Sequence, residues 1–207
     1  MKKILYILLI SCFGLSIISC KKEESEDSGP YNRLLGGTIQ GLAITLTGKV
    51  TTLAGPAAGS TDNSSTDGTG SDARFYHPFG ITTDGTNLYV SDFGNHKIRK
   101  VVISSGVVTT LAGPAAGTTT SGDTDGTGTD ARFKNPIGIT TDGTNLYVSD
   151  WSNNKIRKIV ISSGVVTTLA GPAAGTTTSG DTDGTGTDAR FKNPIGLLKV
   201  FYQFQLP

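Results

Sequence analysis

Four groups of residues in this 207-residue chain have types and spacings that could do chemistry. The run Asp123-Thr124-Asp125-Gly126-Thr127-Gly128-Thr129-Asp130 alternates carboxylates with small residues on a stretch that glycine can bend. A hard cation such as Ca²⁺ takes oxygen ligands of that kind, and Asp123, Asp125 and Asp130 are its candidate ligands. The same residues can also form an Asx-turn loop that hydrogen-bonds its own backbone. No Glu closes the loop, and an earlier copy carries Ser65 where Asp123 stands, so the turn is the expectation and calcium the alternative. Lys97, Arg99 and Lys100, matched by Lys155, Arg157 and Lys158, could form a basic stripe for nucleic acid. They could equally be a solvated strand on which Arg99 or Arg157 pairs with a carboxylate such as Asp92 or Asp150. The formal net charge is only +1, which favours pairing and no nucleic-acid partner. His77 and His96 give way to Asn135 and Asn154 in the next copy, so they do not make a repeated ligand set. Trp151 replaces Phe93 and offers a stacking surface or a packing residue.

Catalytic signatures run out quickly. The chain has no GxSxG elbow and no HExxH, and DGTGTD precedes a strand and lacks the Lys of a phosphate-binding loop. No catalytic residue is nominated, and an enzyme is not expected.

What must position these residues is a repeat. Gly106 to Gly138 recurs unchanged as Gly164 to Gly196, an offset of 58 residues, and Ala73 to Leu111 presents nearly the same words as the stretch that follows it. A period of that size means stacked structural units. Within one unit the pattern predicts four strands, over Ile137–Thr141, Leu146–Ser149, Ile156–Ile161 and Val165–Ala170. Asp142-Gly143-Thr144 and Ser162-Ser163-Gly164 are the tight turns between them. Leu146-Tyr147-Val148 and Ile159-Val160-Ile161 have apolar neighbours in sequence, so both faces of the sheet need cover, as in a propeller blade packed between two others. The linker from Pro114 to Asn135 reads as a long loop without strands, either functional or mobile.

Pro136-x-Gly138-Ile139, Asp142-Gly143-x-Asn145-Leu146-Tyr147-Val148-x-Asp150 and Asn153-Asn154-Lys155-Ile156-Arg157-Lys158 together resemble the NHL repeat. The preceding unit, with Asn95-His96-Lys97-Ile98-Arg99-Lys100, is nearer still to the Asn-His-Leu of the name. The resemblance covers residues 41–196 and implies an all-β fold of four-stranded antiparallel blades, usually about six to a ring. It further implies a protein that binds more often than it catalyses.

The N-terminal segment reads as a secretion signal over residues 1–19, with Lys2 and Lys3 before an apolar core that is too short for a stable span. Ile17-Ile18-Ser19-Cys20 is similar to the lipobox of bacterial lipoproteins, which implies cleavage before Cys20 and a lipid on its sulfur. Multiple acyl chains would anchor the protein on a membrane. Residues 21–30, KKEESEDSGP, hold no apolar residue and read as a flexible tether. The expected location is the bacterial cell envelope, the outer membrane favoured because Lys21 is not the retaining Asp. Cys12 falls inside the signal, so the mature chain is left without a disulfide.

Residues 42–55 match the end of a unit and predict the last two strands of a preceding blade. After Gly196 the pattern breaks into LLKVFYQFQLP at 197–207, which reads as a shortened copy of a longer propeller gene or as a terminal strand. Units near 48–105, 106–163 and 164–196 make about three blade-equivalents, an open arc that two chains could close as a homodimeric ring. The functional expectation is a lipid-anchored binding or scaffold module for a protein partner. The alternatives are a fragment without independent function and a propeller enzyme with metal in its central channel.

Overall fold

A computed structural model describes residues 38–39, 42–43, 50–57, 60 and 62–196. The signal segment, Cys20, the tether and the tail at 197–207 lie outside the described residues. The chain divides into two units, of which Met1–Val50 is described only as a short antiparallel ladder of β1 (Thr38–Ile39) and β2 (Leu42–Ala43).

The second unit holds two antiparallel sheets of five strands each, the blades that the repeat implies. Blade 1 comprises β3 (Gly68–Thr69), β4 (Pro78–Thr83), β5 (Asn87–Asp92), β6 (Lys97–Val102) and β7 (Val107–Ala112), in the spatial order β3-β7-β6-β5-β4. Blade 2 repeats it with β8 (Gly126–Thr127), β9 (Pro136–Thr141), β10 (Asn145–Asp150), β11 (Lys155–Val160) and β12 (Val165–Ala170). The four expected strands fall within a residue of their predicted bounds, because alternating β-branched residues end at Asp-Gly and Ser-Gly turns.

The turn residues explain themselves chemically. Asp142 Oδ1 accepts the Thr144 and Asn145 amides at 2.8 and 2.7 Å, and Asp142 Oδ2 accepts Asn145 Nδ2 and the Tyr147 hydroxyl. Those bonds, the Asn145 side chain first, hold the Asp142 carboxyl well below the usual carboxylate range.

Two expectations need correction. The linker between blades is not structureless. Its Gly126–Thr127 joins the outer edge of blade 2 through pairs with Val165 and Val166, and a 3₁₀ turn at Gly128–Asp130 follows. Each blade therefore gains a fifth, outermost strand from the chain that arrives before it, which shields an edge that would otherwise be open. Residues 50–55, within the 42–55 expected as two strands, carry none, yet Gly55 donates to the Gly70 carbonyl at 3.1 Å as Gly113 does to Gly128. They hold the place of a preceding blade's last strand without its ladder.

Alternation gives every blade two faces. On the leading face Leu88, Val90 and Asp92 stand opposite Val101, Arg99 and Lys97. The trailing face carries Tyr89, Ile98 and Ala112. Between the blades, trailing Tyr89, Ile98 and Ala112 of blade 1 pack in one core with leading Phe133, Ile139, Leu146, Val148 and Ile159 of blade 2. Close approach of β4 to β9 requires Gly80, since a Cβ there would lie 2.3 Å from the Ile137 carbonyl oxygen.

Candidate functional site

Strand direction brings the starts of β4 and β6, the ends of β5 and β7, and the linkers to one end of each blade. Lys100 and Lys158 sit in mid-strand, while Lys97, Arg99, His77 and His96, with Lys155, Arg157, Asp123, Asp125 and Trp151, lie at or under this end. Most of them are consumed there.

Arg157 is fully buried and forks into the linker. Its Nη1 donates to Asp150 Oδ2 at 2.8 Å and to the Arg132 carbonyl at 3.0 Å. Its Nη2 donates to Asp125 Oδ1 at 2.7 Å and to the Thr124 carbonyl at 3.1 Å, while the guanidinium lies 5.1 Å from the centre of the Phe133 ring. Arg99 repeats this around Asp92, Asp67, Thr66, Arg74 and Phe75. The register of β11 against β12 shifts between Ile156 and Arg157, and such a bulge re-aims the arginine. Asp150 itself accepts the Lys134 amide and Asn153 Nδ2, both at 2.8 Å. Burial pushes its carboxyl up to about 6, against the pull of Arg157.

The pairing of Arg99 and Arg157 with Asp92 and Asp150 is as expected, but the strand is not solvated. Lys97, Arg99, Lys155 and Arg157 are all fully buried. They form no basic stripe; only Lys100 and Lys158 retain partial exposure, on the opposite face. Lys155 Nζ donates to Asp123 Oδ2 at 2.7 Å and to the Ala173 carbonyl at 3.0 Å. Lys97 has Ser65 Oγ at 3.0 Å and the Ala115 carbonyl at 2.7 Å, with no carboxylate paired to it among the described residues. Burial, with repulsion from Arg99, pulls the Lys97 ammonium down to about 8.

These bonds engage two of the three carboxylates of the calcium alternative. Asp123 is held by Lys155 and by the Gly175 amide, and Asp125 by Arg157 and by the amide and hydroxyl of Thr168. Asp130 is exposed in its 3₁₀ turn and faces neither of them as a third ligand. Among the described residues no group of three or more His, Cys, Asp or Glu side chains converges to hold a metal. The loop is organised around the protein's own cations.

His96 and Asn154 have one job in two chemistries. Both adopt left-handed backbone, with φ of 58° and 56°, which His and Asn tolerate better than most residues. His96 Nδ1 accepts the Asn135 amide at 3.1 Å, and Asn154 Oδ1 accepts the Asn193 amide at 2.9 Å, each stitching one unit to the next. Burial, then the charge of Lys134, lowers the His96 pKa. The alternation of His with Asn signalled this conformation in the sequence.

This end also carries an aromatic group. Phe79 at the start of β4, Phe93 after β5 and Trp151 after β10 form a row, with ring centres 5.0 Å and then 6.2 Å apart. Phe79 is 61% exposed, and Phe93 and Trp151 are half-buried. Tyr76 stacks on His77 at 4.4 Å nearby. Tyr76 also explains Gly94, where a Cβ would lie 2.2 Å from the Tyr76 ring. Phe79 was missed in the sequence because its counterpart is Ile137. A row such as this offers flat apolar surface.

Known proteins bear on these blades. No family model matches the chain. Human NHL repeat-containing protein 2 is 36% identical over 107 residues, covering 50% of this chain and 14% of that protein. The Bos taurus protein of the same name is 40% identical over 95 residues, covering 44% and 13%. The match thus spans a small part of those relatives. Among solved structures, an auxiliary nutrient binding protein from Bacteroides thetaiotaomicron superposes with a TM-score of 0.47 at 25% identity, covering 56% of this chain and 31% of that one.

Proposed function

We propose that this chain, whose complete units are NHL-repeat propeller blades, is a non-catalytic binding module that presents its linker-bearing end to a protein partner. The observation that carries the reading is the aromatic row of exposed Phe79 and half-buried Phe93 and Trp151, set where the repeated charges are already spent on structure. Aromatic side chains supply contact area at low entropic cost and concentrate binding energy at interfaces. The partner surface that suits the row is apolar or aromatic. A thioether-linked lipid on Cys20 would hold this module to the bacterial envelope, with the outer membrane as its site and the 21–30 tether as its reach.

A photo-crosslinking residue placed at position 93 or 151 in cells tests the reading. Adducts with an envelope protein are expected at both positions and not at Ser104, which lies at the opposite end of blade 1. Equal labelling at all three positions, or none, would overturn it. Lipid-precursor labelling that is lost in Cys20→Ala tests the anchor separately.

A further inference from the structure

Ser65 and Asp123 stand at one place in the repeat, and the exchange of one for the other changes what a buried lysine faces. In blade 2, Asp123 Oδ2 accepts Lys155 Nζ at 2.7 Å and the Gly175 amide at 2.8 Å, while Lys155 also donates to the Ala173 carbonyl. In blade 1 the donors recur. Lys97 Nζ donates to the Ala115 carbonyl at 2.7 Å and to Ser65 Oγ at 3.0 Å, and Gly117 stands where Gly175 does. The charged acceptor does not recur. Serine is one carbonyl group shorter than aspartate and meets Lys97 with a neutral hydroxyl. The Gly117 amide turns instead to the Ser65 carbonyl at 3.3 Å, longer than the usual amide bond.

Burial makes the exchange matter. Lys97 and Ser65 are both buried, so this ammonium has only neutral oxygens at hydrogen-bond distance where buried charges need compensation. Its lowered pKa has burial as the first cause and repulsion from Arg99 as the second. Asp67 and Asp92 pull the other way, but both are bonded to Arg99. In charge, Lys97 and Arg99 balance Asp67 and Asp92. Blade 2 holds one carboxylate more around the same two cations, so this fold accommodates a third negative charge at this place.

The structure assigns this place in blade 1 to a small monovalent anion of the halide class, such as chloride, held by the Lys97 ammonium, the Gly117 amide and the Ser65 hydroxyl. The ion stands where Asp123 Oδ2 stands in blade 2, and its bonds are of the charge-assisted kind. The difference of one carbonyl group leaves room for a single-atom ion and not for sulfate or phosphate. Ser65 Oγ turns its proton to the ion from the Thr118 carbonyl, 3.2 Å away, and water takes over that carbonyl because Thr118 is exposed. Entry needs no unfolding. The Asp123 side chain is 17% exposed at the equivalent place, and Gly117 and Thr118 form an exposed lip over the blade 1 site. The site is independent of the aromatic row and of the partner proposed for it.

Chloride titration of the full chain, followed by amide NMR at constant ionic strength with methanesulfonate as the balancing anion, is the test. The Gly117 amide is expected to shift along a saturating curve while the Gly175 amide stays still. Ser65→Asp puts a carboxylate in the ion's place and is expected to abolish the Gly117 response. Asp123→Ser is expected to transfer the property, giving Gly175 a saturating response of its own. Because the ion binds the folded chain, the wild-type folding equilibrium constant in urea is expected to rise about elevenfold at chloride ten times its Kd, and that of Ser65→Asp to stay unchanged. A wild-type Gly117 amide that stays still, or moves only in proportion to salt, overturns the proposal. So does a Gly117 response that survives in folded Ser65→Asp, or a folded Asp123→Ser chain in which Gly175 stays still.

Discussion

Arg157→Ala removes the centre of the blade 2 charge node. The guanidinium donates to four acceptors, two of them the carboxylates of Asp150 and Asp125. Asp150 is fully buried and would keep only the Lys134 amide and Asn153 as partners. Leaving one member of a buried ion pair uncompensated costs about 3–5 kcal/mol, a large share of the roughly 5–15 kcal/mol that holds an ordinary domain together. Asp125 is partly exposed, so water offsets the loss on that side. Arg157→Lys keeps the charge but cannot fork between two carboxylates, and it is expected to lose roughly half as much. Urea unfolding followed by Trp151 emission is the assay, because the chain's single Trp directly follows Asp150. A double change of Arg157→Met with Asp150→Asn should cost less than Arg157→Ala alone, since no orphaned charge remains. An Arg157→Ala loss below about 1 kcal/mol, the scale of a surface pair, would refute the reasoning.

The remaining predictions concern pH, the interblade stitch and the inner strands. Lys97 gives up its proton near pH 8 when folded but near 10.5 when unfolded, so between those values the unfolded chain binds more protons and stability rises with pH. Burial and the Asp84 carboxylate push the Tyr89 hydroxyl up to about 12, so above pH 10 this group acts the other way and stability falls. Urea midpoints across pH 7–12 should therefore pass through a maximum near about pH 10, and Ser65→Asp, which gives Lys97 the carboxylate that Lys155 has, should flatten the rise. His96→Asn should change the melting temperature little, because Asn154 already does the same job. His96→Ala should cost about 1–2 kcal/mol through a lost acceptor and an unfavourable backbone. Gly80→Ala should cost about 1–3 kcal/mol by forcing β4 from β9, seen as faster hydrogen exchange at Ile137 and Ile139.

Legibility in the sequence followed the range of the interactions. Strands and turns were readable because alternation and Asp-Gly signals act over a few residues. The Arg157–Asp150 pair was readable because the two stand diagonally on one face of one hairpin, Arg157 opposite Val148 and Asp150 opposite Lys155. Asp125 was not assigned to Arg157, because 32 residues separate them and a glycine-rich acidic loop also suits a cation. The available hint was that Asp67 and Asp125 accompany Arg99 and Arg157 in both units, while Ser65 and Asp123 vary. Burial of Lys97 and Lys155 was hidden for the same reason: a strand bearing three cations looks solvated until a distant linker covers it. The aromatic row depends on Phe79, which only blade 1 carries, so repetition could not reveal it.

The arginine clasp also has a direction in time. Every acceptor of Arg99, namely Thr66, Asp67, Arg74 and Asp92, precedes it in the chain, and the same holds for Thr124, Asp125, Arg132 and Asp150 with Arg157. A ribosome that has released the third long strand of a blade has already released everything the clasp needs. The fourth strand then closes on Asp67 or Asp125 through Thr110 or Thr168, across 43 residues in each blade. Each blade can thus lock as it emerges, without waiting for the next, and the nascent chain never has to hold a buried cation in reserve for a carboxylate not yet made.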